Sequence, residues 1–170
     1  NPWHDIFEPD LGYIRYFGDA KKPGNPALAP GNKVLLEELA RHTSGDPDVR
    51  TSASPLVFFE RVPVEGRAYG NLKFQGFGVI EKAELVTQFN PGLGYFTNYV
   101  FTFAVLSLSD EDEVLSWDWI NDRRSPKLDN KAILEKAPVS WRHWVKGGNQ
   151  KLESFRRRAA LAKVESVSSQ

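Results

Sequence analysis

The strongest constraint on the fold lies in residues 95–108. Tyr95, Thr97, Tyr99, Phe101, Phe103 and Val105 fall on one face at period 2, and Asn98, Val100, Thr102, Ala104 and Leu106 on the other. A stretch this long with this period reads as a β-strand. Two further apolar runs of strand character precede it, residues 55–62 and residues 76–86. Gly76 and Gly78 in the second allow a bend or a bulge. A fourth run, Tyr13-Ile14-Arg15-Tyr16-Phe17, ends at Gly18 and gives way to an acid, two lysines and a Pro-Gly turn. Residues 31–42 instead set Val34, Leu35 and Leu39 at helical spacing, with Glu37, Glu38 and Arg41 facing out. Three to five strands around a small helix imply a strongly curved sheet or an open β-barrel.

The last third changes period. Residues 112–122 carry Val114, Leu115, Trp117, Trp119 and Ile120 on a helical pattern. Asp129 is placed to cap a helix that runs to Lys136 and is broken by Pro138, and Ser140 to cap a short one bearing Trp141, Trp144 and Val145. Residues 150–163 read as a final helix with Leu152, Phe155 and Ala159 on one side. Residues 1–10 read as irregular, with Trp3 and Phe7 tucked onto the body, and residues 43–48 as a loop. The expected class is therefore α+β: a strongly curved sheet or open barrel flanked by helices, with a helical C-terminal third.

Composition narrows the functions. The 170 residues are 41% hydrophobic, enough for one domain with a real core. No apolar run approaches the ~18 residues that a membrane helix needs. With no cysteine there is neither a disulfide nor a thiolate metal site, which fits a cytoplasmic protein. Net charge is zero, unlike the basic footprint of a wholesale polyanion binder. The charges cluster, however. Arg15, Lys21, Lys22 and Lys33 face only Asp19 within residues 11–33. Lys151, Arg156, Arg157, Arg158 and Lys163 face only Glu153 within residues 150–163, and acids gather at 110–113.

Enzyme signatures are thin. His4, His42 and His143 lack metal-ligand spacing, and neither a nucleophile elbow nor a phosphate-cradling loop is present. Asp118 and Asp122 beside Arg123 and Arg124 read as solvent-side partners on a helix rather than a nuclease cluster. No catalytic residue, metal or cofactor is expected in this chain. Binding signatures are richer. Tyr13, Tyr16, Phe17, Tyr69, Phe74 and Phe77 lie beside Lys21, Lys22, Arg67 and Lys73, and rings interleaved with cations suit stacking on bases and pairing with phosphates. The same rings could equally fill a barrel core above a solvated basic rim. Asp19, just past a strand-end glycine, is placed either to form an Asx turn or to accept from a base amino group such as cytosine N4. The run Arg156-Arg157-Arg158 reads first as a solvated helix face and second as a phosphate contact or linker.

The order of these pieces resembles a known family. A strand ending in Tyr16-Phe17-Gly18-Asp19 is followed by a basic loop and then by Gly31-Asn32-x-x-Leu35-Leu36 opening a helix. A Pro55-x-x-x-Phe59-x-Arg61 strand, a Gly76-x-Gly78-Val79-Ile80 strand and a long aromatic strand follow. This is similar to the SET- and RING-associated (SRA) domains of the PUA-like superfamily. It is most similar to the N-terminal recognition domain of AspBHI-type modification-dependent restriction endonucleases. There the carrying residues include 12–21, Pro23-Gly24, Trp119-Ile120-Asn121-Asp122-Arg123-Arg124 and Ala137-Pro138-x-x-Trp141-x-x-Trp144.

The resemblance implies a recognition domain over 1–148 and a C-terminal helix and linker over 149–170. The linker would lead to a downstream nuclease domain, Mrr-like or HNH, outside this sequence. It implies type IV-like restriction, in which double-stranded DNA is bound and 5-methylcytosine or another modified cytosine is flipped into an aromatic pocket. Tyr16, Phe17, Asp19, Tyr69 and Phe74 would form that pocket. Arg15, Lys21, Lys22, Asn32, Lys33, Arg67 and Lys73 would contact the DNA backbone or fill the gap the base leaves, and a homodimer is possible. A PUA-like RNA-binding module and a protein-interaction or dimerisation domain remain the alternatives.

Overall fold

A computed structural model describes residues 5–66, 70–109 and 114–158. Five antiparallel strands form one curled half-barrel sheet: β1 (Ile6–Glu8), β2 (Tyr13–Phe17), β3 (Leu56–Arg61), β4 (Leu72–Asn90) and β5 (Gly94–Val105). Their order is β1-β2-β5-β4-β3. The period-2 stretch became β5, the centre of the sheet. Phe103 sits opposite Ile14 on β2 and Ile80 on β4.

Two bulges in β4 create the curl. Phe58 pairs with Gly76 and Phe59 with Phe74, so Gln75 is extra; Ile80 pairs with Phe103 and Lys82 with Thr102, so Glu81 is extra. Each extra residue bends the strand and sharpens its twist. Gly76 sits at the first bend with φ 137°, where a Cβ would also come within 2.8 Å of Val105 Cγ1.

Helices cover both faces. α1 (Pro30–His42) lays Leu35, Leu36 and Leu39 on a core of Ile14, Phe58, Ile80, Phe101, Phe103 and Val105. The opposite face receives α2 (Pro47–Ser52), α3 (Trp117–Asp122), α4 (Asn130–Glu135) and α5 (Val139–Gly147). There Trp119, Trp141 and Trp144 are fully buried with Phe77, Val79 and Leu106. Asp129 caps α4 as expected, its Oδ1 accepting from Ala132 N at 2.7 Å. Ser140 is no cap: it lies inside α5 and its hydroxyl donates to Ser107 O at 2.6 Å.

Further sequence expectations change. The helix expected over residues 112–122 is, in its described part, only Trp117–Asp122. Residues 43–48 are not all loop, because α2 begins at Pro47, capped by Asp46. The N-terminal stretch is not wholly irregular, since Ile6–Glu8 extends the sheet as an edge strand. The helix expected over residues 150–163 is, in its described part, a short 3₁₀ helix, Asn149–Ser154, followed by extended chain. That segment is bound into the body rather than held off it. Leu152 is buried, Ser107 N donates to Phe155 O, and Arg157 N donates to Val105 O.

The arginine run is correspondingly not a solvated helix face. Arg156 donates to Gly12 O and bonds Glu81 in the second bulge, while Arg157 donates to Gln75 O in the first. Each arginine pins one bulge of β4. The tucking of Trp3, the acids at 110–113 and the helix beyond residue 158 lie outside the described residues.

Candidate nucleic-acid interface

The site begins where β2 stops. Gly18 N donates to Tyr99 O, the last bond before the chain leaves the sheet. The chain then crosses to α1, and a buried polar network holds the crossing. Asp19 N donates to Asn32 Oδ1 at 2.9 Å, and Asn32 Nδ2 donates to Pro26 O at 2.9 Å and to Asn98 Oδ1 at 3.1 Å. Asn98 Nδ2 in turn donates to Gly18 O and to Gln88 Oε1, both at 2.8 Å. Satisfied on nearly every atom, such a network specifies one loop geometry. Gly18 is required sterically: a Cβ there would lie 2.0 Å from Asn32 Oδ1.

Asp19 sits at the entrance to α1. Its Oδ2 accepts from Gly31 N at 2.9 Å and its Oδ1 from Asn32 N at 3.1 Å. It thus caps the helix from 12 residues upstream, satisfying two amides that have no partner within the helix. A carboxylate has about four acceptor positions, so two remain for a ligand's N–H.

Tyr16 stands beside it, half exposed, its ring stacked on Phe103 with centroids 6.2 Å apart. Burial first, then the nearby Asp5 and Asp19 carboxylates, raise its phenol pKa above the ordinary value, so the group stays a hydrogen-bond donor. Tyr16, Asp19, Pro30, Gly31, Asn32, Val34 and Leu35 line a cavity of about 450 Å³. Aliphatic, aromatic and carboxylate walls thus converge on one opening.

The expected residues separate into groups. Tyr16 and Asp19 share the cavity, and Lys21, Lys22 and Lys33 are exposed on the same loop and first helical turn. Asn32 is corrected from a backbone contact: it is fully buried, and its part is to fix the loop. Phe17 points to the other face of β2 from Tyr16 by strand alternation, with the Arg15 guanidinium 5.9 Å from its ring centre. Phe74 is also displaced. It packs with Phe59 and Trp117 against the tryptophan core, on the sheet face opposite Tyr16. Lys73 next to it pairs across to Glu60, far along β4 from the cavity. Arg67 and Tyr69 lie outside the described residues.

Sequence reasoning missed Val34, Leu35, Asn98 and Gln88. The first two look like ordinary core positions of α1, yet Val34 is 59% exposed at the cavity. Asn98 and Gln88 carried a weak signal, as uncharged polar residues among aromatics on β-strands. Among the described residues no group of His, Cys, Asp and Glu could hold a metal ion, and no helix is long and apolar enough to cross a membrane.

This fold is that of an SRA-like recognition domain of the kind found in modification-dependent restriction endonucleases. The sequence matches the family described as restriction endonuclease AspBHI N-terminal over residues 1–156. The chain belongs to that family. Among solved structures it is similar to the MspJI restriction endonuclease in complex with a 27-mer oligonucleotide. There the identity is 38% and the TM-score 0.83, over 93% of this chain and 37% of that one. It thus spans little more than a third of that relative. The DNA recognition domain of the cytosine modification-dependent restriction endonuclease LpnPI is 21% identical, with a TM-score of 0.63, over 85% of this chain and 63% of that one. AspBHI, a DNA modification-dependent restriction endonuclease, is 22% identical with a TM-score of 0.64, over 92% and 68%. At those identities the last two show the fold alone. No curated protein matches the chain.

Proposed function

We propose that this chain is a non-catalytic DNA-recognition module that reads a modified cytosine in duplex DNA. The base is extruded into the cavity between β2 and α1, and cleavage belongs to a nuclease domain carried elsewhere in the same polypeptide. The supporting observation is the cavity itself, where a helix-anchored carboxylate faces apolar and aromatic walls in a member of this family. Extruding a base costs a few kcal/mol, which the pocket must return through stacking and edge hydrogen bonds. Tyr16, backed by Phe103, offers the stacking surface, and the free acceptor positions of Asp19 suit an exocyclic amino group such as cytosine N4. Val34 and Leu35 supply apolar surface for a substituent on the ring. Exposed Lys21, Lys22 and Lys33 lie where flanking phosphates would pass, and such contacts position the duplex without reading it.

Titration of Asp19→Ala against duplexes carrying one modified cytosine tests the assignment. Loss of preference for the modified duplex, with residual salt-sensitive binding retained, is expected. Unchanged affinity and preference would move the reading site elsewhere.

A further inference from the structure

A second cleft, of about 540 Å³, opens between α2, β3, α3 and α4. Its walls include Arg123, Arg124, Ser54 and Asn130 and the apolar Val57 and Ile120, and no carboxylate lines it. It lies at the other end of α1 from the cavity. Asp19 caps the first turn of that helix, whereas His42 in the last turn bonds Ser54 O. At ~1.5 Å per residue the two ends of α1 are roughly 20 Å apart.

The half-buried Arg123 guanidinium donates to Ala53 O and stands over the rings of Trp119 and Trp141, 6.0 Å from each centre. Burial pushes its pKa below the ordinary value, against the pull of Glu38. Among the described residues it nevertheless forms no ion pair. Glu38 is bonded instead to Arg41 Nη1 at 2.6 Å and to Ser54 N at 2.9 Å, and Asp122 pairs with Lys136. Other interior arginines are better compensated. Arg156 meets both Glu81 and Glu153, and Arg50 donates to the carbonyls of Ser44, Val145 and Lys146. A charge withdrawn from water without a counter-charge is costly, and an anion in the cleft would offset that cost. The surroundings are basic as well: residues 123–131 hold Arg123, Arg124, Lys127 and Lys131 against Asp129 alone, and Asp129 is engaged as the cap of α4.

We infer that this cleft is an anion site that takes the phosphate of a nucleotide, separate from the cavity between β2 and α1. Guanidinium forks match phosphate oxygens two at a time. Two such forks, a hydroxyl and an amide offer more donors than the about four acceptor positions of a carboxylate, which favours phosphate as the ligand group. Val57 and Ile120 supply apolar surface for the carbon to which the phosphate is esterified. The same chemistry is carried by a diester of a DNA backbone and by a free nucleotide. The inference does not depend on base reading in the cavity.

NMR titrations that follow the Arg123 and Arg124 side chains test it, with inorganic phosphate, thymidine monophosphate and an unmodified duplex as probes. Saturable shifts of both side chains are expected with thymidine monophosphate. Arg124→Gln should weaken that binding about tenfold, as should Arg123→Lys, which keeps the charge but loses the fork. Arg124 is exposed and bonds no other side chain among the described residues, so Arg124→Gln should melt like the wild type. Lys151→Gln, an equal change of charge on the exposed 3₁₀ helix, should bind like the wild type. Weaker binding of the unmodified duplex by Arg124→Gln would assign the phosphate to the DNA backbone. An effect on the monophosphate alone would assign it to a free nucleotide. No saturable shift with any probe, or equal weakening by Lys151→Gln, would overturn the inference while leaving the reading of the cavity intact.

Discussion

At the scale of single residues, Asp19 holds the site together because one side chain both orders the loop and faces the cavity. Its removal strips two bonds from the first amides of α1, which should cost about 1–2 kcal/mol of stability, read as a lowered urea midpoint. An unshifted midpoint would show that the cap is redundant. Gly18→Ala should be worse, since its methyl group would occupy the position of Asn32 Oδ1. Loss of cooperative melting or a drop of several degrees in Tm is expected, and wild-type behaviour would contradict the close approach.

His42 adds a pH dependence of its own. It is fully buried against Trp144, with Nε2 donating to Ser54 O and Nδ1 accepting from Ile80 N, each at 2.8 Å. The bond accepted at Nδ1 needs the neutral ring. Burial lowers its pKa below 6.5, with Arg123 and Arg41 adding to that and Ser54 O and Glu38 opposing. The unfolded chain therefore binds the extra proton first. Stability is full above about pH 6.5 and falls as pH drops from there toward the lowered folded value. Urea midpoints at pH 7.5 and 5.5 should show that fall, and a His42→Gln variant should flatten it; an equal slope would contradict the assignment. Tyr16 and Asp19 could be read from the sequence because they stand next to a strand-end glycine. Val34 could not, since helical periodicity marks a position as apolar without saying whether the core or a cavity receives it.

Among elements, the strands were legible and the ends of the chain were not. The period-2 pattern of β5 placed Phe101 and Phe103 on one face, and α1 followed from its 3.6 spacing. Gly76 marked a possible bend or bulge in β4 without showing which residue is extra, and the second bulge, at Glu81, escaped, because an extra residue leaves no mark except where a glycine happens to sit. Phe74 was misplaced for that reason: the bulge at Gln75 reverses the alternation and turns its ring to the tryptophan side. Helical periodicity likewise overcalled residues 150–158, the described part of the helix expected over 150–163. Leu152 and Phe155 are indeed apolar anchors, but the main chain after them bonds to Val105 and Ser107 instead of continuing a helix. A protein ending at Gly148 would uncover Leu106 and leave both bulges without their arginines. Its Tm should fall by several degrees or its folding fail, and unchanged melting would show that residues 149–158 are a mere linker.

For the whole molecule, neutrality of charge and specificity of binding are compatible. Few exposed lysines flank the cavity, so nonspecific attraction should be weak and fade with salt. Discrimination should come from the extruded base and persist. The most direct measurement is an anisotropy titration of the chain against matched duplexes carrying cytosine, 5-methylcytosine or 5-hydroxymethylcytosine, at two salt concentrations. A preference for one modified duplex that survives the higher salt is the expected result. Equal affinity for all three, decaying together with salt, would contradict modified-base reading by this domain.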